Sequence, residues 1–320
     1  MLGFVVIGRN EGPRLVACLD ALLRAGCDAS AIVYVDSGSS DGSVDVARVR
    51  GVDAVALTAP FTAAKGRNTG FLHLRSKHAG LDAVQFIDGD CEYFPAYFDV
   101  AHRALMGDPS LIAVTGVLHE RAPEASVWNL LADVEWTGAF GDLDAFGGNV
   151  MIKRAALDQG GLYNETLIAG EDPELAVRLK KATGGRVVRI DEPMCLHDLA
   201  MTEARQWWKR NVRSGHAYAE VSRMHGNEPP HFWRKEVRSN WLWGVLPVAA
   251  PALAVPGYLV LFWRIYADAR RRGLDAKTAR IFALFTAIGK VPQALGQAKY
   301  EMNRRRGVRA TIMEYKKPTS

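Results

Sequence analysis

Five short apolar runs, at 4–7, 32–35, 54–57, 84–87 and 112–117, fall within the first 118 residues. Stretches of helical pattern separate them, near 13–25, 43–50, 63–77 and 95–106. Strand–helix–strand alternation of this kind builds a mostly parallel sheet with helices on both faces, a Rossmann-like α/β fold. In such sheets ligands bind outside the carboxyl ends of the strands. The residues that follow each run are therefore where chemistry is to be sought.

Polar clusters stand at those places. The first run enters Gly8-Arg9-Asn10-Glu11-Gly12-Pro13, with Pro13 suited to open a helix. The second ends on Asp36 and continues through Ser37-Gly38-Ser39-Ser40-Asp41-Gly42-Ser43. Asp41 reads as a cap, whereas Asp36 sits on the strand terminus, where a carboxylate can accept from a base or ribose. Lys65 and Arg67 precede the fourth run and read either as nucleotide-facing cations or as surface charges. That run ends in Asp88-Gly89-Asp90. In an extended segment residues i and i+2 point the same way, so Asp88 and Asp90 would present carboxylates to one point, with Gly89 allowing close backbone approach to a ligand. Two hard oxygen donors there suit Mg²⁺ or Mn²⁺ bridging a substrate diphosphate. Asp-Gly is also turn chemistry.

Taken in order, Val6–Glu11, Val35–Ser43, Gly66-Arg67-Asn68-Thr69-Gly70, Asp88-Gly89-Asp90 and Gly170-Glu171-Asp172 resemble the motifs of glycosyltransferase family 2. These are inverting nucleotide-sugar enzymes of the GT-A fold, and the likeness spans about residues 1–215. It implies a nucleotide-sugar half at 1–118 and an acceptor half at 119–225. It also implies a donor, expected to be UDP-linked, held by Arg9, Glu11, Asp36, Lys65, Arg67, Asp88 and Gly89. The metal would be held by Asp88 and Asp90, with His197 as a third ligand, as late histidines serve in several GT-A enzymes. The Asp of the Glu-Asp pair would be the general base, a role carried onto Asp172. The competing reading makes Asp172 only the N-cap of the helix that Pro173 opens. Glu171 is then a supporting or acceptor-binding residue. Asn149 is expected near the donor sugar or acceptor, and Trp136, in a long segment at 119–146, could stack on a sugar or belong to a satellite core. Arg210 and Arg213 lie where the family carries Gln-x-x-Arg-Trp beside the diphosphate, although Gln206 is followed here by Trp207-Trp208-Lys209-Arg210.

Charge divides the chain. Residues 1–200 carry 18 Lys+Arg against 27 Asp+Glu, and residues 201–320 carry 22 against 8. A basic rear suggests an anionic partner. Nucleic acid is the poorer choice, because the chain has no motif for it and the choice leaves 239–263 unexplained. Those 25 residues contain no charge, and Pro247, Pro251 and Pro256 interrupt them. Basic flanks on both sides select no orientation across a bilayer. Residues 226–320 therefore read as a C-terminal α-helical membrane-associating region. It would comprise a proline-broken hairpin in the cytoplasmic leaflet and one interfacial helix at 275–295 against anionic lipid. On this reading, removing 231–320 frees an intact front half. No signal peptide is expected before the first strand, and the four cysteines, without paired spacing, read as free thiols. The expectation is a transferase at the cytoplasmic membrane face, moving sugar to a lipid-linked saccharide. A soluble family member and a non-catalytic nucleotide-sugar or anionic-lipid binding module are the alternatives.

Overall fold

The computed structural model describes residues 1–308. The first half alternates as β1 (Leu2–Gly8), α1 (Pro13–Arg24), β2 (Ile32–Asp36), α2 (Ser43–Arg48), β3 (Asp53–Ala56), α3 (Ala63–Lys77), β4 (Ala83–Asp88), β5 (Cys91–Tyr93), α4 (Ala96–Gly107) and β6 (Leu111–Glu120). Then come α5 (Val127–Trp136), β7 (Gly141–Leu143), β8 (Val150–Lys153), α6 (Arg154–Gly160), α7 (Glu171–Thr183) and β9 (Arg186–His197). Five helices follow: α8 (Ala204–His225), α9 (Arg234–Ala249), α10 (Pro251–Arg271), α11 (Ala276–Ile288) and α12 (Lys290–Arg305).

One mixed sheet runs β3-β2-β1-β4-β8-β6-β9-β5, with β7 on β9. The half formed by β1 to β4 is parallel throughout, β1 pairing with both β2 and β4 and β2 with β3. Strand β8 enters antiparallel between β4 and β6. Side chains alternate between two cores as the pleat requires. On one face Leu15, Leu19 and Leu22 of α1 and Tyr97 and Phe98 of α4 cover Phe4, Val6 and Ile87. On the other, Phe71 and Leu74 of α3 and Leu175 and Leu179 of α7 cover Val5, Val33 and Phe86. The arrangement leaves the carboxyl ends of β1, β2 and β4 open on one edge, as parallel order demands.

Two sequence expectations change here. The segment 119–146 is not a long loop: it holds α5 and β7. Trp128 packs into a satellite core with Ala132, Leu199, Met201, Trp207 and Phe285. The single helix expected over 275–295 is two, broken at Gly289. Pro292, with no N–H to bond the Ile288 carbonyl, interrupts the ladder there. A Cβ on Gly215 would lie 2.0 Å from the Gln293 carbonyl oxygen, and one on Gly296 2.0 Å from that of Val212. Helices α8 and α12 therefore meet backbone to backbone. The rear helices pack directly on the helix that carries Arg210 and Arg213. The uncharged run forms α9 and α10, which fold back on each other at Ala250, and the Tyr258 hydroxyl donates to the Trp243 carbonyl at 2.8 Å. Among the described residues no helix is long and apolar enough to cross a membrane.

Candidate active site

A cleft of about 390 Å³ opens at the ends of β1 and β4. Its walls include Arg9, Glu11, Phe61, Arg67, Asp88, Asp90, Asp172, His197 and Arg213. At its floor lies Arg67, buried in α3. Its guanidinium reaches Asp88 at 2.8 Å, Glu171 at 3.1 Å and Asp172 at 3.1 Å. Gly148 lets this cluster form, because a Cβ there would stand 2.3 Å from Arg67 Nη2 and 2.8 Å from Asp88 Oδ2. Arg67, expected either at a nucleotide or on the surface, is instead the counter-ion shared by three carboxylates.

One guanidinium cannot neutralise three carboxylates. Burial pushes the Asp172 carboxyl up to about 8; Arg67 pulls down, while Glu171 and Asp88 push further up. The contact at 3.1 Å and the raised value are compatible, because Arg67's single charge is divided and Asp172 Oδ1 lies buried outside hydrogen-bond alignment. Asp172 is not an N-cap. Gly170, with φ of 82°, takes that position and has no side chain to cap with. Asp172 sits one residue inside α7, so capping supplies no reason for its presence.

Asp88-Gly89-Asp90 differs from the extended geometry that its spacing predicts. Strand β4 stops at Asp88, and the chain turns through Gly89 and Asp90. The two carboxylates diverge. Asp88 is held by Arg67 and by Asn149, whose side-chain oxygen accepts from the Asp88 amide at 3.1 Å and whose amide donates to Asp88 Oδ2 at 3.3 Å. Gly89 donates to the Ile7 carbonyl at 2.8 Å, and a Cβ on Gly89 would lie 3.0 Å from that oxygen. Its close approach is to β1, not to a ligand. Asp90 is buried and faces His197, Oδ2 to Nε2 at 3.3 Å. Asp90, Cys91 and His197 form the one group of metal-ligand type among the described residues. Burial drives the Cys91 thiol well above its ordinary value, with further upward pushes from Cys195 and Asp90. It stays protonated, a poor ligand for a hard cation. Asp90 and His197 do fit: donors 3.3 Å apart can share one ion at ligand distances of about 2.1 Å. Trp136 stands edge-on to the His197 ring at 4.6 Å and fixes its orientation.

The other expected residues separate. Arg9 and Glu11 line the cleft, Glu11 paired with Arg14 at 2.8 Å. Asp36 is buried and accepts from Tyr34 and from the Gly38 and Ser39 amides at 2.9–3.0 Å, so it shapes the loop. Lys65 turns away and donates to Thr58 and Ala59. Arg210 pairs with Glu135 at 2.8 Å, and Arg213 donates to the Ile168 carbonyl at 3.3 Å. Both arginines line a second opening beside Asp172. Sequence reasoning missed Arg14, Phe61 and Arg189. Arg14 and Arg189 are lone cations in ordinary helix and strand patterns, and only the folded chain shows that Arg14 faces Glu11 and Asp198 and that Arg189 faces a cavity.

Parallel β1, β2 and β4, the antiparallel insertion of β8 and a carboxylate helix facing the strand ends define a GT-A fold. Residues 4–159 match the model of Glycosyl transferase family 2. They are a glycosyl transferase family 2 domain, and the fold is that of nucleotide-sugar glycosyltransferases. The mannosyltransferase PcManGT from Pyrobaculum calidifontis, solved in complex with GDP-Man and Mn²⁺, is similar over 95% of this chain and 87% of its own, at 18% identity and a TM-score of 0.60. TarS 1-349 from S. aureus is similar over 96% of this chain and 92% of its own, at 14% identity and a TM-score of 0.52. The same figures hold for TarS 1-349 in complex with UDP-GlcNAc. No curated protein sequence matches the chain.

Proposed function

We propose that the chain is an inverting, metal-dependent glycosyltransferase acting at the cytoplasmic face of a membrane on a lipid-linked saccharide. The observation that carries the chemistry is Asp172: a buried carboxylate with a raised pKa, on the wall of a cleft at the strand ends. The nucleotide sugar, UDP-linked by preference, enters that cleft between Arg9, Glu11 and Phe61. An acceptor hydroxyl oxygen attacks the anomeric carbon, and its proton passes to the Asp172 carboxylate. As the new C–O bond forms, the bond to the diphosphate oxygen breaks, and its electron pair leaves with the nucleoside diphosphate. A single displacement of this kind inverts the anomeric centre. Asp90 and His197 would hold Mg²⁺ or Mn²⁺, which supplies positive charge to the leaving diphosphate when bound. Arg67 keeps Asp172 in place against Glu171, and Arg213 adds positive charge beside the same carboxylate.

The membrane part of the proposal rests on α9 and α10. Leu242, Val245, Val248, Leu253, Val255, Leu259, Val260 and Trp263 are exposed there, an apolar surface of the kind that marks an interaction site. Arg234, Lys235 and Arg238 precede it, and Arg264 and Arg270–Arg272 follow, as interfacial attachment to anionic lipid requires. The test is a screen of radiolabelled nucleotide sugars against membrane lipid extracts, with vesicle flotation of the same protein. Transfer of label into the lipid phase, and flotation that survives high salt, are expected. Label that transfers only to water-soluble material, or full release by salt, would overturn the membrane assignment.

A further inference from the structure

Arg189 stands in β9 opposite Thr115 of β6 and Gly141 of β7. It lies on the same face as Val187, which packs with Leu175 and Leu179 of the catalytic helix α7. Its side chain enters a cavity of about 300 Å³, also lined by Trp136, Phe146, Asn149 and His197. Asp88 and His197 line both this cavity and the main cleft, so the two spaces adjoin at the reaction centre.

Arg189 has no carboxylate of its own in this cavity. The carboxylates that line it are engaged elsewhere: Asp88 takes a share of Arg67 at 2.8 Å, alongside Glu171 and Asp172, and Glu135 pairs with Arg210 at 2.8 Å. Arg189 Nε is buried without a hydrogen-bond partner. Among the described residues no carboxylate forms an ion pair with Arg189. Burial alone lowers its pKa, with no opposing charge to restore it. The backbone at Gly138 closes over the guanidinium: a Cβ there would lie 2.9 Å from Nη1. A cation taken partly out of water and left unpaired costs stability unless something supplies the missing charge.

We propose that this cavity is an acceptor subsite in which Arg189 reads an anionic oxygen group, a phosphate or carboxylate, on the acceptor saccharide. That the entering molecule is an acceptor rests on the glycosyl-transfer reading above; the charge preference does not. A guanidinium presents two parallel donors to such a group, and the aromatic rings of Trp136 and Phe146 wall the sugar that bears it. The donor diphosphate is a poor occupant, because Arg189 pairs with Thr115 while His197, which would hold the metal, pairs with Glu120, five residues and about 17 Å further along β6. Arg189 and Asp88 stand on strands three spacings apart, about 14 Å between backbones. The anion would therefore lie away from the attacking hydroxyl and select the acceptor without entering the displacement. Arg189 is thus a specificity residue.

The experiment measures equilibrium binding of glucose, glucose 6-phosphate and glucuronate to the full chain by calorimetry. Saturating UDP and Mn²⁺ occupy the donor cleft. The wild type should bind at least one charged sugar about tenfold more tightly than glucose, the scale of a charge-assisted hydrogen bond. Which charged sugar wins distinguishes phosphate from carboxylate. R189Q should lose the preference while binding glucose as before, and R189K should keep part of it. R189Q should also melt no lower than the wild type, since it removes an uncompensated charge. Equal binding of charged and neutral sugars to the wild type, or a preference that survives in R189Q, would overturn the proposal. No turnover is read, so failure of the transfer reading shows separately, as absence of nucleotide-sugar cleavage.

Discussion

Replacing Arg67 by Met tests whether the floor of the cleft is one electrostatic unit. The methylene stem is kept and the charge shared by Asp88, Glu171 and Asp172 is removed. The Arg67 side chain is only 3% exposed, so water screens little of the loss. Asp88, a third exposed, contributes the least; Glu171 and Asp172, at 8% and 15%, carry most of the effect. Removing one partner of a buried ion pair costs about 3–5 kcal/mol. For a chain of this size each kcal/mol lowers Tm by about 2–4 °C, so a fall of roughly 6–20 °C is expected. The sign with pH follows from linkage. Without Arg67 the Asp172 carboxyl loses the neighbour that pulls it down and stays raised above its unfolded value, so stability is present at low pH and lost as pH rises through the raised value. The deficit against wild type should be larger at about pH 8 than at about pH 5. Adding Glu171→Gln removes one of the repelling charges and should recover part of the loss, with a coupling of about 0.5–3 kcal/mol. The assay is thermal denaturation by circular dichroism across pH. Arg67→Met melting within about 2 °C of wild type, or a deficit that does not grow with pH, would refute the shared-charge argument.

Asp172→Asn should lower the transfer rate by about 10²–10⁴ with Tm and nucleotide binding nearly intact; normal turnover in that variant would remove the base. Because the Asp172 carboxyl is raised to about 8, log kcat/KM of the wild type should climb by about one for each pH unit below that value and level off above it. A flat profile across that range would mean that another group takes the proton. Chelation should abolish turnover, and Asp90→Asn should weaken Mn²⁺ binding measured by calorimetry; wild-type metal affinity in Asp90→Asn would exclude the Asp90–His197 pair as the site.

The first four strands were legible because strands buried on both faces of a parallel sheet are near-continuous apolar runs. Helix α3 was read as 63–77 and forms over Ala63–Lys77. What the helix does was less legible. Lys65 and Arg67 are two residues apart and so lie on nearly opposite sides of α3. Only packing against β4 and α7 decides that Arg67 turns inward and Lys65 turns to Thr58. The Asp-x-Asp geometry failed for a similar reason. Asp88 ends a strand paired with β1, and Cys91 begins one paired with β9, so the two residues between them must turn. In Gly170-Glu171-Asp172-Pro173 the cap was placed two residues late, because a glycine with positive φ starts the helix. Arg189 carried no signal, since the isolation of a charge is a property of its surroundings.

The rear helices are packed into the wall of the cleft. Arg210 and Arg213, beside Asp172, project from α8, and α12 buries the opposite side of α8 through Gly215 and Gly296. Gln293 of α12 donates to Asn211 at 2.9 Å, one residue from Arg210. Phe285 of α11 packs on Trp128 and Trp207, which set α5 against α8 and so place Glu135 within reach of Arg210. Residues 231–320 therefore cannot be removed to leave an undisturbed front half: their loss would uncover one face of α8 and loosen the wall that carries both arginines. The apolar surface of α9 and α10 belongs to the same packed unit. That surface is continuous, through α12 and α8, with the side of the cleft that holds Asp172.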